Sequence, residues 1–137
     1  MSPLRYPVLI YFVSATLYLS SCGNKEPYKP SYEISAAYVI GRENCYIDSS
    51  RNYWLLDLTV YPGTKQYGDT ITYNGKVYTN VVKTTGLTAP FNRVGVKVGL
   101  DFTISSDRTQ TDYCNAASPV TYNLREITII HESITGD

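Results

Sequence analysis

The chain predicts an all-β domain, and three observations carry that prediction. First, apolar and polar residues alternate in several runs. The most regular is 94–104, where Val94, Val96, Val98, Leu100, Phe102 and Ile104 fall on one side and Lys97, Asp101 and Thr103 on the other. Second, Asn74-Gly75 separates Ile71-Thr72-Tyr73 from Lys76-Val77-Tyr78, the pattern of a hairpin whose two turn residues tolerate positive φ. Third, no stretch keeps a helical period, and a chain with 14 tyrosines and many threonines favours strands.

Taken in order, 32–40 alternates, with Tyr32, Ile34, Ala36, Tyr38 and Ile40 on the face expected to be apolar and Glu33 and Ser35 opposite. A turn-rich stretch, 41–52, follows. In 53–61, Trp54, Leu56, Leu58 and Val60 share a face and read as core, while Asp57 points the other way and reads as solvated; Pro62-Gly63 ends the run. After the hairpin of 71–82, residues 83–93 read as a loop punctuated by Gly86, Pro90 and Asn92. Residues 105–119 are polar and loop-like. The last run, 120–134, changes phase: Val120, Tyr122 and Leu124 lie on one face, whereas Ile127 and Ile129 continue at odd positions. A β-bulge near Arg125-Glu126 would absorb that slip. Six or seven strands at this spacing predict a single antiparallel β-sandwich, immunoglobulin-like, with a small β-barrel as the alternative.

The opening segment has a different character. Arg5 precedes an apolar run, 8–19, too short for a membrane-spanning helix, which needs ~20 residues, but suited to a secretory signal. The run closes with Leu19-Ser20-Ser21-Cys22 and turns polar at Gly23-Asn24-Lys25. Leu, two small residues and Cys resembles the lipobox of bacterial lipoproteins, and the resemblance implies cleavage before Cys22 and acylation, including palmitate, of that residue. Gly23 after the cysteine and the Lys25-Glu26 pair are similar to the small outer-membrane lipoproteins of Bacteroidetes. The similarity covers residues 1–26 and implies a lipid-anchored protein of the outer membrane, facing the periplasm or the cell surface. The expected organisation is therefore a signal peptide over 1–21, a lipidated and Pro-containing tether over 22–31, and the β-domain over 32–137. Pro27 and Pro30 stiffen the tether towards extended geometry.

Removing 1–21 leaves 116 residues, enough for one core, with 11 basic and 12 acidic side chains. That balance gives no basic surface for nucleic acid. With Cys22 assigned to lipid, Cys45 and Cys114 remain as a pair in a compartment that permits oxidation. A disulfide is expected; two free thiols are the alternative.

Catalytic signals are sparse. His131 is the single histidine, set in a strand-like run, and no Gly-x-Ser-x-Gly elbow accompanies it. Asp57 and Asp101 read as solvated strand positions rather than as a glycosidase pair. Asp48, Asp107 and Asp112 lie in loop-like stretches without the ladder of a calcium loop, so neither a metal nor a cofactor is expected. The aromatic surplus is more informative. Tyr46, Tyr53, Tyr61, Tyr67 and Tyr113 are candidate ligand contacts, since exposed tyrosines offer flat amphipathic surface to a sugar or a protein; packing at the rim of the domain is the plainer reading. Asp69-Thr70-Ile71 resembles the Bacteroidetes O-glycosylation sequon, which makes Thr70 a candidate acceptor. The expected function is a non-catalytic binding or assembly module for a glycan or a protein. A structural envelope lipoprotein in a larger complex is the alternative, and a hydrolase the distant one.

Overall fold

The structure, a computed structural model, describes residues 26–135, so the signal segment and Cys22 lie outside the described residues. Among the described residues there are six strands: β1 (Glu33–Arg42), β2 (Trp54–Asp57), β3 (Asp69–Tyr73), β4 (Lys76–Thr84), β5 (Lys97–Thr109) and β6 (Leu124–Ile134), with one 3-10 turn, Ser49–Arg51, before β2. The all-β expectation holds.

The strands form one sheet in the order β2-β1-β5-β6-β4-β3, and an additional β2–β4 pairing closes it on itself. Pairing is antiparallel except at the seam between β4 and β6, a parallel contact through Lys83 and Glu126. This is the small-barrel form of the expectation, rather than two separate sheets of an immunoglobulin-like sandwich. Alternation within strands is the same in both, because it reports one wet and one dry face, not whether the outer strands meet. The ring β1-β2-β4-β6-β5 makes a small barrel, with β3 added to β4.

The hairpin between β3 and β4 turns at Asn74-Gly75, whose φ values of 49° and 78° are those a type I′ turn requires. Inside the barrel, Ala37, Val39, Trp54, Leu56, Leu58, Val82, Val98, Leu100, Phe102 and Ile127 make one buried cluster. Burying such a side chain stabilises the fold by about 1.5–3 kcal/mol. Trp54 is in this core, as expected.

Two faces differ from the sequence reading. In β1 the interior positions are the odd ones, Ala37 and Val39, while Ile34 and Tyr38 are exposed. The register decides this: Ala37 pairs with Val98 and Ser35 with Leu100, so the inward side of β5 carries the odd side of β1 inward with it. In β6 the irregularity expected near Arg125-Glu126 is present, with its extra residues on β5, while Leu124 and Ile127 face different cores. Ile127 points into the barrel, whereas Leu124 joins Leu55 and Val81 in a second cluster on the other face of the sheet. The irregularities opposite Arg125 and Glu126 fall where β5 has the extra residues, between Ile104 and Ser106 and between Ser106 and Arg108.

That second cluster explains why β2 and the end of β4 are buried on both faces. Ile40, Ile71, Tyr73, Tyr78 and Tyr122 pack around it. The stretch from 110 to 123 lies against the same region, tied down by the Cys45–Cys114 disulfide, with S–S 2.11 Å, and by a bridge between Asn44 and Val120. Residues expected to be loop on either side are strand: β4 continues to Thr84 and β5 to Thr109.

Candidate functional site

A groove of about 460 Å³ lies along the outside of β1, β5 and β6. Register builds its floor. Ala36 pairs with Gly99 and Gly99 with Ser133, so one row across three strands carries almost no side chain. In the next row, Ile34, Asp101 and His131, the side chains are larger, and Ile34 and Asp101 form one bank. The other bank is the segment between β2 and β3, which contributes Tyr61, Thr64 and Lys65.

That bank is held from both ends. Leu58 and Tyr67 are buried in the barrel core. Asn80, itself buried, accepts from the Tyr67 and Gly68 N–H groups through Oδ1 at 2.9 and 2.7 Å and donates from Nδ2 to the Lys65 carbonyl at 2.9 Å. Between these anchors Pro62-Gly63 makes a tight turn, closed by Thr64 Oγ1 donating to the Tyr61 carbonyl at 2.7 Å. Tyr61 is left 51% exposed at the groove. Asp57 is buried rather than solvated; its Oδ1 accepts from Thr59 N at 3.1 Å and Thr59 Oγ1 at 2.7 Å, turning the chain out of β2.

Electrostatics at the groove are locally balanced. The Lys65 ammonium donates to Glu33 Oε1 at 2.8 Å, and the Tyr67 hydroxyl donates to Glu33 Oε2 at 2.7 Å. These two hydrogen bonds, from Lys65 and then Tyr67, hold the Glu33 carboxyl below its ordinary range. Burial, reinforced by Glu33, pushes the Tyr67 hydroxyl up to about 12. Lys97 stands 5.3 Å from the centre of the Tyr61 ring.

The candidate tyrosines do not converge. Tyr67 is buried at 5% exposure, edge-on to Phe102, so it packs in the core and adds only a small part of its surface to the groove lining. An odd position between Gln66 and Gly68 in a polar stretch carries no signal of that. Tyr46 is half-buried under the Arg51 guanidinium, 4.1 Å from its ring centre. Tyr53 is half-buried beneath Lys83, 4.6 Å away; burial and then the Glu126 carboxylate raise its hydroxyl. Tyr113, 96% exposed with φ 61°, sits next to Cys114. Of the five, Tyr61 is the exposed one that lines the groove.

Thr70 is exposed on β3, beside Asp69, whose carboxylate is engaged by Arg108. His131 is 67% exposed; its Nδ1 lies 4.0 Å from Asp101 Oδ2 on the open surface. Asp48 caps the 3-10 turn, accepting from Ser50 N and Oγ at 3.0 and 2.7 Å, which lowers its carboxyl. Among the described residues, no three His, Cys, Asp or Glu side chains gather as metal ligands.

Sequence reasoning missed the ion pair on the far side of the sheet. Lys83 and Glu43 are both fully buried, 3.3 Å apart. Lys83 also donates to the Tyr122 carbonyl at 3.0 Å and Thr111 Oγ1 at 3.3 Å. Glu43 accepts from Tyr122 N at 2.9 Å and Thr111 Oγ1 at 2.8 Å. The one available hint was Val81-Val82, two adjacent apolar residues that break the alternation and so imply burial on both faces.

No family model matches the chain, and no curated protein or solved structure matches it either.

Proposed function

We propose that the chain is a non-catalytic binding or assembly module of a bacterial cell envelope. A lipid on Cys22 holds it to the outer membrane, and its ligand, a glycan or a protein, is taken up in the groove between β1, β5, β6 and the 58–68 segment. The observation that carries this reading is the groove itself: a floor stripped of side chains, with an exposed tyrosine on one bank. Its volume falls within the range typical of ligand sites. The open setting of His131 and Asp101 supports a role without catalysis. A photo-crosslinking side chain at Thr64 in the acylated protein, expressed in cells, tests the reading. A discrete adduct from Thr64, absent when the same group replaces Thr72 on exposed β3, is expected. Equal adducts from both positions, or none from Thr64, would refute it.

A structural role in a larger envelope complex is the second reading. It is favoured by exposed apolar side chains on the outside of β1 and the turn beside it: Ile34 at 64%, with Tyr38 and Val94. Polar replacement of Tyr38 and Val94 would then release the protein from a high-mass complex on native gels, while the crosslink at Thr64 persisted.

A further inference from the structure

We propose that the groove is a subsite for a neutral, polyhydroxylated ligand, a segment of glycan chain, contacted by Tyr61, Asp101, Ser133 and Thr135. This rests on reading the protein as a binding module and names the ligand class.

Shape comes first. A Cβ built on Gly99 would lie 2.5 Å from Ser133 Oγ and 3.1 Å from Thr135 Cγ2. The missing side chain therefore lets both hydroxyl-bearing residues lie across β5, close to the floor. With Ala36 on the neighbouring strand, the result is a shallow trough lined by short hydroxyl groups and open along its length. It suits a flat ring with polar edges better than a bulky apolar anchor.

Charge selects among polar ligands. The cation on the bank, Lys65, is held by Glu33, and Lys97 stands over the Tyr61 ring. A phosphate or sulfate would have to displace one of these contacts. Asp101, 30% exposed, instead offers carboxylate oxygens, which form strong hydrogen bonds with ligand hydroxyls.

Thr135 supplies an independent sign. Its Oγ1 is buried with no hydrogen-bond partner, and leaving a desolvated hydroxyl unpaired costs about 1–3 kcal/mol. A ~120° rotation about χ1 would carry this hydroxyl to the position from which the methyl group now faces Gly99, bringing a donor and acceptor into the trough. Tyr61 completes the set: its ring is amphipathic, and the C–H face of a sugar stacks on such a surface.

Calorimetric titration of the intact protein, with neutral hexasaccharides of glucose, galactose, mannose and N-acetylglucosamine beside a heparin hexasaccharide and inorganic phosphate, tests the proposal. At least one neutral probe is expected to bind in the micromolar to millimolar range, and neither charged probe to bind as well. Tyr61→Ala should weaken that binding about tenfold and Thr135→Val severalfold, with the unfolding temperature of Tyr61→Ala unchanged because the ring is exposed. Gly99→Val should abolish binding; since it is also expected to disturb β6, the Tyr61 variant carries the decision. Failure of every neutral probe, tighter binding of a charged one, or indifference to both Tyr61→Ala and Thr135→Val would overturn the proposal. A crosslink at Thr64 that persists beside such a failure removes the ligand class alone, whereas loss of both removes the binding role.

Discussion

The Lys83 ammonium on β4 and the carboxylate of Glu43, the residue just after β1, face each other 3.3 Å apart, with no exposure to solvent. Forty positions separate them in sequence. Hydrogen bonds to Thr111 and Tyr122 draw the 110–123 stretch onto the pair. A buried charge is tolerated only when its partner and its remaining hydrogen bonds are supplied.

Removing one member of this pair should be more damaging than removing both. Lys83→Met or Glu43→Gln is expected to cost about 3–5 kcal/mol, and the Lys83→Met/Glu43→Leu double variant less than the worse single change. Urea unfolding midpoints measure this; additive losses would show that the two side chains act separately.

The Cys45–Cys114 bridge spans 69 positions. In the chain-entropy model a loop of that length stabilises the fold by about 4 kcal/mol. Paired Cys45→Ala and Cys114→Ala substitutions should lower the unfolding midpoint accordingly. Because the bridge anchors the stretch that covers Lys83, amide exchange at Thr111 and Tyr122 should rise before exchange inside the barrel does.

Gly41 is where the β3–β4 hairpin rests on β1: the Tyr73 ring occupies the place a Cβ on residue 41 would take. Gly41→Val is therefore expected to destabilise by about 1–3 kcal/mol through overpacking. Part of that loss should return in Gly41→Val/Tyr73→Leu. A double variant no better than the single would place the defect elsewhere.

Alkaline pH should weaken the fold in a definite window. Tyr67 ionises near 10.0 when unfolded and at about 12 when folded, so its contribution is fully present below pH 10. It is lost progressively as pH rises towards 12, because the unfolded state releases the proton first. Tyr53 and Tyr122, also raised by burial, act in the same direction. Tyr67→Phe should flatten, without abolishing, the fall in stability between these values. An unchanged slope would contradict the assignment.

Acylation is tested at the thiol itself. Cys22→Ala should move the protein from the membrane fraction to the soluble one, and mass spectrometry of the parent protein should show a chain beginning at a lipid-modified residue 22. Unchanged partitioning of the variant would refute the anchor.

Local chemistry made part of this protein legible. The Asn74-Gly75 turn needs only its own backbone preferences, and 94–104 shows its inward side because Val98, Leu100 and Phe102 outweigh anything opposite. Cys45 and Cys114 pair by elimination once Cys22 is assigned to lipid, an expectation that takes no account of distance. Other features depended on neighbours that arrive from afar. Alternation reports a period of two but not which phase points inward, so Ile34 and Tyr38 reads as core until the register with β5 turns Ala37 and Val39 inward. A lysine after two valines reads as a loop boundary until a glutamate and a backbone carbonyl converge on it. The groove belongs to the same class. Ala36, Gly99 and Ser133 are unremarkable singly and form a floor only where three strands align them. Each strand's rhythm, the hairpin and the cysteine pair follow from residues read in order. Tertiary structure alone decided which faces are dry, where charge is buried and where a ligand has room, because each of those is a property of pairings between distant segments.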